Sequence, residues 1–488
     1  MSNQLPLPDP LLVLSRAPDA EPLRQQLYRQ LREAILNGHL APGRALPSSR
    51  PWAQRLGLGR STLVEALEQL KVEGYLEARQ GAATRVAAHL PARGFASQRL
   101  PALPEPLPDR VLAHWQEDDP PTPVTARCFR PGLPDLAALP AREWAACLSS
   151  RARQPRLHDL SYVGGTGLAV LQAQIVQHVA STRFVRAQPD QVLVLPSARA
   201  AFDVALRCAL PEPGTVWVED PGYPGIQSLL RAHRAEVCPV PVDAQGLDFE
   251  DVAQDPAVVY VTPSHQYPTG VALSLHRRMA LIERVRRCAA VIIEDDYDSE
   301  FQYRGLPIAS LQGLDPHDNV FYVGTFSKTL APGLHVAYLV VPRRFVGLAH
   351  TVASTVGLSV AVHIQLALAD FMQLGCLRRH IRRMNGVYAD RMRRLVQALR
   401  DERLAGMQVP DPAGGLQLLL SWASAPSDQQ IARALAEVGI HANPLSRLSL
   451  RARGQGLLLG IGLCEAAEIP GAVQRLAQVW HQARAAQA

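Results

Sequence analysis

The sequence predicts two folded parts of different class. One is a small helical module closed by a β-hairpin; the other is a large α/β body on a mostly parallel sheet. Three observations carry this. Leu23, Leu27, Leu31 and Ile35 recur at helical spacing near the N-terminus. Eight prolines fall between Pro91 and Pro123, which reads as a semi-extended linker. Beyond about residue 125, short apolar runs alternate with helical patterns, the sign of a sheet covered on both faces. A length of 488 residues calls for two or three domains, and 47% hydrophobic with 19% charged residues describes a globular chain. The expected division is a tail over 1–20, the small module over 21–88, the linker over 89–124 and the body over 125–488.

In the module, the first helix ends at Asn37-Gly38, and Ala41-Pro42-Gly43 is a turn. Ser48-Ser49 caps a second helix with Pro51 in its first turn, which stops at Gly57-Leu58-Gly59. A third helix from about Arg60 turns Leu63, Ala66, Leu67 and Leu70 inward and stops at Gly74. Tyr75 to Ala78 and Thr84 to Val86 read as two strands around Arg79-Gln80-Gly81-Ala82. This is the winged helix-turn-helix plan. It sets Arg60, Ser61 and Thr62 where a recognition helix meets base edges and phosphates, and Arg79 at the hairpin tip.

Charge agrees. The chain carries +6 overall, but residues 21–88 carry +4 of it. A basic module on a near-neutral body suits a polyanionic partner.

In the body, the strand candidates are Val192–Leu195, Thr215–Val218, Val258–Val261, Val291–Ile293, Val320–Val323 and Ala337–Val341. Ligands of such sheets sit at the carboxyl ends of the strands. No run of about 18 apolar residues predicts a membrane span, and the first residues do not read as a signal peptide. Seven scattered cysteines with no CxxC pattern are expected to be free thiols in a reducing cytoplasm.

The chemistry centres on Lys328. Of 50 basic Lys and Arg residues only Lys71 and Lys328 are lysine. An arginine cannot replace a lysine that must form an imine, because a guanidinium does not shed its proton. Asp295 and Tyr297 follow the strand candidate ending at Ile293 and, two apart, share a face. A carboxylate, a phenol and a lysine fit pyridoxal phosphate: the Asp protonates the pyridine nitrogen, the Tyr bonds the ring oxygen, and the Lys takes the aldehyde carbon. The alternative is that Glu294-Asp295-Asp296 is an acidic loop. Ser197-Ala198-Arg199 opens a helix after a strand, where free N–H groups hold a phosphate. Tyr223, in a turn after another strand, offers a ring to stack on the pyridine.

Two resemblances sharpen this. Leu46-Pro47-Ser48-Ser49-Arg50, Leu56 to Leu63 and Glu73-Gly74-Tyr75-Leu76 resemble a GntR-type winged helix. That implies DNA contacts from Arg50 and Arg60. Two positions depart: Gly59 replaces the usual Ser, and the wing reads Gly81-Ala82-Ala83-Thr84. Phe129 to Asp135, Thr262 to Gly270, Glu294 to Phe301 and Gly324 to Leu334 resemble fold-type I aminotransferases, with a mostly parallel sheet and a smaller α+β C-terminal subdomain. Joined to the head, the whole is similar to MocR/GabR-type regulators.

The resemblance implies a head-to-tail homodimer, operator DNA as partner, and an effector that is PLP or a small amine or amino acid. It implies that Thr325 and Ser327 flank the cofactor beside Lys328, and that Tyr162 reaches the partner subunit's cofactor phosphate. There are departures here too. His335 stands where the family has an Arg on the phosphate, a loss worth roughly 1.5–3 kcal/mol for one charge-assisted bond; Arg199 is a candidate replacement. Tyr267 stands where aminotransferases place Asn beside the ring oxygen. The segment Gly456 to Gly462 lacks the arginine that grips a substrate carboxylate, although Arg447, Arg451 and Arg453 are close in sequence. Steady-state transamination is therefore not expected. Two other readings stay open: a working aminotransferase with a DNA-binding head, and a regulator whose body no longer binds PLP.

Overall fold

The computed structural model describes residues 12–17, 20–78, 83–88, 128–153, 161, 166–305, 308–451 and 454–485. The linker at 89–124, Arg79 at the hairpin tip, Tyr162 and Arg453 lie outside them. The chain divides into two compact units between Leu107 and Pro108.

The first unit follows its pattern closely. Helices α1 (Leu23–Leu36), α2 (Ser49–Arg55) and α3 (Arg60–Val72) precede strands β1 (Leu76–Glu77) and β2 (Arg85–Val86), which pair antiparallel. Leu27, Leu31, Ile35, Trp52, Leu63, Leu67 and Leu70 form one core with Leu76 and Val86. Ser48 does precede α2, but its side chain makes no capping bond.

The second unit is built on an eight-stranded sheet. Its strands are β3 (Val192–Leu195), β4 (Thr215–Asp220), β5 (Glu236–Asp243), β6 (Gly246–Leu247), β7 (Val258–Val261), β8 (Val291–Asp296), β9 (Val320–Thr325) and β10 (Ala337–Val340). Their order is β3-β10-β9-β8-β7-β4-β5-β6. Strands β4, β5, β7, β8 and β9 are parallel, while β10 runs antiparallel to both neighbours.

Period-two alternation divides the buried residues between two faces. Leu193, Val216, Tyr260, Ile293, Phe321 and Leu339 pack with helices Ala198–Ala209, Pro224–Ala232 and Val346–Val356. On the opposite face, Val192, Val194, Tyr322, Tyr338 and Val340 meet helices Ala169–Arg183 and Val362–Gln373. There Trp217, Val259 and Ile292 meet helix Leu275–Arg287.

A smaller subdomain follows. Strands β11 (Gln417–Trp422), β12 (Asn443–Pro444) and β13 (Gln455–Gly460) form an antiparallel sheet with β13 central. The 26-residue helix Cys376–Asp401 and helix Ile469–Ala485 contribute to its core. The segment from Cys128 joins this subdomain: Cys128 bridges Ile440, and Phe129 bridges Gly460.

A buried ion pair ties two elements of the large sheet region together. Arg183 Nε donates to Asp296 Oδ2 at 2.7 Å, and its other nitrogens reach the Ile308 carbonyl and the Ser264 hydroxyl. The pair holds the Asp296 carboxyl below the usual range despite burial. Arg183→Leu leaves that carboxylate buried and unpaired, which costs roughly 3–5 kcal/mol. The variant is expected to show a clearly lower urea midpoint for the second unit in denaturation followed by circular dichroism. An unchanged midpoint would show that the pair contributes no net stability.

Candidate functional site

The parallel strands and β3 point their carboxyl ends to one edge of the sheet, and the chemistry collects there. A cavity of about 310 Å³ is lined by Ser197, Ala198 and Arg199 after β3, Tyr223 after β4, and Tyr267 after β7. Asp295 and Tyr297 on and after β8, and Thr325, Ser327 and Lys328 on and after β9, complete that set. All ten were expected from sequence. His335 is not brought to it. That residue is exposed and closes the turn Pro332–Leu334 in the left-handed conformation, φ 50°.

Alternation along β8 gives its three acids separate surroundings, so they are not an acidic loop. Glu294 points away from the cavity and accepts the N–H groups of Leu311 and Gln312, both at 2.9 Å. Asp296 holds Arg183 and accepts the Tyr322 hydroxyl. Asp295 turns into the cavity, where the buried Tyr260 hydroxyl donates to its Oδ2 at 2.6 Å. Burial pushes the Asp295 carboxyl up to about 7, against the pull of Tyr260 and Lys328.

Lys328 donates to the Gly132 carbonyl. Gly132 takes φ +79°, a left-handed conformation natural to glycine, and an added Cβ would sit 3.7 Å from Nζ. Exclusion of water lowers the Lys328 ammonium below its usual value, with the Asp298 and Asp295 carboxylates opposing. That shift favours the neutral, nucleophilic amine.

Three phenols line the wall. Tyr223 meets Tyr267 edge to face at 5.7 Å, and Tyr267 meets Tyr297 at 6.2 Å. Gly225 keeps the Tyr223 ring in place, since a Cβ there would lie 2.5 Å from three of its atoms. Tyr267 is held from behind by a relay: its N–H donates to Thr262 Oγ1 at 2.9 Å, and Thr262 donates to the buried Glu219. Burial pushes Glu219 up to about 7. At the other end, Ser197 caps the helix Ala198–Ala209 by accepting the Ala200 N–H at 3.1 Å. The Thr325 hydroxyl donates to Ser327 Oγ at 2.9 Å and accepts the Ser327 N–H at 3.1 Å. Hydroxyls and a helix N-terminus thus both line the cavity, groups suited to a phosphate.

Several contributors carried no assigned role in the sequence. Asp298 is buried, lines the cavity and accepts from His265 Nδ1 at 2.9 Å and from the Leu416 N–H at 3.1 Å. Gln417 donates to the Tyr297 hydroxyl at 3.3 Å, while its Oε1 is buried without a partner among the described residues. Gln417 and Asn443 come from the smaller subdomain, so only tertiary folding brings them in. The alternation that exposed Asp295 stops short of Asp298, which lies in the turn beyond β8.

These residues fit pyridoxal 5'-phosphate. A basic amine, a carboxylate held near its protonated form, a phenol beside them and an anion cradle share one cavity. The Gln417 acceptor without a partner is a polar position suited to a ligand. When bound, that group supplies an electron sink for the carbon attached to an amine nitrogen.

In the first unit, α3 begins at Arg60 with Gly59 as N-cap. Arg50, Arg60 and Ser61 are exposed and Thr62 is partly so. Arg50 and Arg60 form no ion pair among the described residues, whereas Arg24 lies 3.6 Å from Glu65.

A winged helix followed by an aminotransferase-fold body defines the class, and comparison with known proteins gives the family. Residues 23–86 match the bacterial regulatory proteins of the gntR family, and residues 149–457 match aminotransferase class I and II. Over 469 residues the chain is 34% identical to the probable rhizopine catabolism regulatory protein MocR of Rhizobium meliloti, covering 92% of each. It is 32% identical over 425 residues to the HTH-type pyridoxine biosynthesis transcriptional regulator PdxR of Corynebacterium glutamicum, covering 86% of this chain and 87% of that protein. The fold of LysN, an alpha-aminoadipate aminotransferase from Thermus thermophilus, superposes with a TM-score of 0.69 at 23% identity, over 74% of this chain and 94% of that one. The chain belongs to the MocR-type regulators, in which a GntR head is fused to an aminotransferase-like body. No helix among the described residues is long and apolar enough to cross a membrane.

The Asp295 shift predicts a pH dependence. The ordinary carboxyl near 3.9 is raised to about 7 in the folded state. The folded protein therefore keeps a proton that the unfolded chain has lost, and this contribution is full below about pH 4 and lost as pH rises through about 7. Asp295→Asn removes it while leaving Glu219 and Glu294 in place. In cofactor-free protein, the stability of wild type relative to the variant should grow between pH 7.5 and 5, by at most about 1.4 kcal/mol per unit. A difference flat with pH would mean that Asp295 is ionised throughout.

Proposed function

We propose that this chain is an operator-binding transcription regulator whose body holds pyridoxal 5'-phosphate at Lys328 and responds to PLP itself or to a small amine or amino acid. The observation that carries this reading is the convergence of Lys328, Asp295 and Tyr297 in one cavity. In this reading Lys328 presents its amine to the cofactor's carbonyl carbon. Asp295 keeps the ring nitrogen protonated, and Tyr297, with Gln417 behind it, hydrogen-bonds the ring oxygen. Tyr223 packs on the ring face, and Tyr267 stands beside the ring oxygen. The N–H groups of Ala198 and Arg199, with Ser197, Thr325 and Ser327, hold the phosphate, and the partner subunit's Tyr162 reaches it; the exposed His335 takes no part. In the head, Arg50, Arg60, Ser61, Thr62 and Arg79 meet double-stranded DNA. The working unit is a head-to-tail homodimer in the cytoplasm.

Turnover is a separate matter. Among the described lining residues the cations are Lys328 and Arg199. Leu457, Leu458 and Leu459 of β13 are buried, and that strand offers no guanidinium for a substrate carboxylate. Amine capture at Lys328 thus suits a signal better than a cycle.

Protein mixed with PLP should gain a visible absorption band. Borohydride should then fix one phosphopyridoxyl group on the peptide containing Lys328, with none in Lys328→Ala. A label on another peptide would sink the cofactor assignment.

In gel shifts with DNA from upstream of the gene, Arg60→Ala should weaken binding by at least about 1–3 kcal/mol if Arg60 reads a base. Arg24→Ala, already paired with Glu65, should weaken it far less. Equal losses would leave only a charge effect.

Incubated for hours with a panel of amino acids and 2-oxo acids, the protein should give no sustained product. Turnover on the order of 1 per second or more would instead identify a bifunctional enzyme.

A further inference from the structure

Outside the cavity lining, two thiols separated by 336 residues meet: Cys464 Sγ donates to Cys128 Sγ at 3.4 Å. Cys464 is buried and Cys128 half-buried. Cys128 begins the segment that lies across the smaller subdomain. Its carbonyl accepts the His441 N–H at 3.1 Å, and the next residue's carbonyl accepts the Gly460 N–H at 2.8 Å. Cys464 lies just beyond β13, and the intervening Ile461 N–H is bonded to Leu416 at 2.9 Å. Backbone pairing thus fixes the chain at Cys128 and at Ile461, three residues before Cys464. A disulfide needs about 2.05 Å between sulfurs, so the 3.4 Å contact must close by about 1.3 Å.

The two thiols differ in character. The hydrogen bond from Cys464 lowers the Cys128 thiol, aided by Arg475 and opposed by burial and Glu468. Cys464 is raised by the same bond and by burial. In the other half-buried cysteines burial wins: it pushes Cys208 up to about 11, and it raises Cys238 and Cys288 even against the nearby Arg451 and Arg284. A thiolate attacks oxidants and a thiol does not.

We propose that Cys128 and Cys464 are a peroxide-sensitive pair that closes to a reversible disulfide, fastening the segment Cys128–Gly132 to the smaller subdomain. Cys128 thiolate attacks one oxygen of hydrogen peroxide; the O–O bond breaks, sulfur loses two electrons to become a sulfenic acid, and the other oxygen leaves as hydroxide and is protonated to water. The Cys464 sulfur then attacks the Cys128 sulfur. The S–S bond forms, the S–O bond breaks, and the proton from Cys464 leaves with the hydroxyl as a second water. Glu468 lies within 4.8 Å of both sulfurs, but two thiols and one exposed carboxylate fall short of the four ligands of a structural zinc site.

The segment's last residue, Gly132, is the one whose carbonyl accepts the Lys328 amine. The staple therefore fixes one wall of the cavity to the smaller subdomain.

The test uses full-length protein, reduced, desalted, exposed to hydrogen peroxide, alkylated and digested without reductant. A Cys128–Cys464 cross-linked peptide should appear at least about tenfold faster than oxidation at Cys208, Cys238 or Cys288, as expected where a partner sulfur lies in reach of a more acidic thiol, and dithiothreitol should remove it. In Cys464→Ser the reaction should stop at a sulfenic acid on Cys128 that dimedone captures. In Cys128→Ser, Cys464 should become as inert as the other cysteines. The proposal is overturned if Cys128 and Cys464 remain alkylatable when the other three are oxidised. It is equally overturned if one equivalent of zinc shields both thiols after dialysis, which would mark a metal site instead.

Discussion

Removing one carboxylate from water is the constraint on which the rest of the body's chemistry depends. Asp295 sits at the end of a central strand, in a wall where its negative charge is poorly solvated. The Tyr260 hydroxyl offsets this from behind. Alternation on the same strand sends the neighbouring acids to the other face, where Glu294 caps a helix and Asp296 holds Arg183. The three consecutive acids thereby meet different partners, although the Asp296 charge still raises both Glu294 and Asp295.

The cavity has two owners. The large sheet supplies Lys328, Asp295 and the tyrosines, while Leu416, Gln417 and Asn443 come from the smaller subdomain. Carboxylates bind the two together. Asp220 accepts the N–H groups of Leu450 and Arg451 at 2.8 and 3.0 Å, and Asp298 accepts that of Leu416 at 3.1 Å. A shift of the smaller subdomain must therefore alter the walls of the cavity or break these bonds. An effector that prefers one arrangement moves the equilibrium only by its difference in affinity for the two.

Much of this was legible before any coordinates. The helices of the head followed from apolar spacing and glycine stops, and six strands of the large sheet from their apolar runs. Strand β5 escaped notice because Pro239 and Pro241 interrupt its pattern; it lies between β4 and the two-residue β6 near the sheet's edge, where prolines are tolerated. Strands β11 to β13 were missed for a different reason. One is two residues long, and Leu457-Leu458-Leu459 lack alternation because their strand is buried. Within the site, residues on or just past strand ends were readable, since the strand sets their direction. Asp298 and His265 were not, because a turn sets theirs. His335 shows the converse. The family resemblance implied a phosphate contact at this position, yet the backbone after Pro332 bends into a left-handed residue and leaves the imidazole exposed.

The near absence of lysine has a practical side. Lys71 lies in the head, beside Glu68, and Lys328 lies in the body. Each folded unit thus owns a single side-chain amine. An acylating reagent applied to the native protein, followed by cleavage between the units and weighing of the halves, reads Lys328 without interference from a surface crowded with competing amines. The arginine-rich composition makes the body a self-reporting vessel: whatever occupies its cavity is registered as mass withheld from one nitrogen.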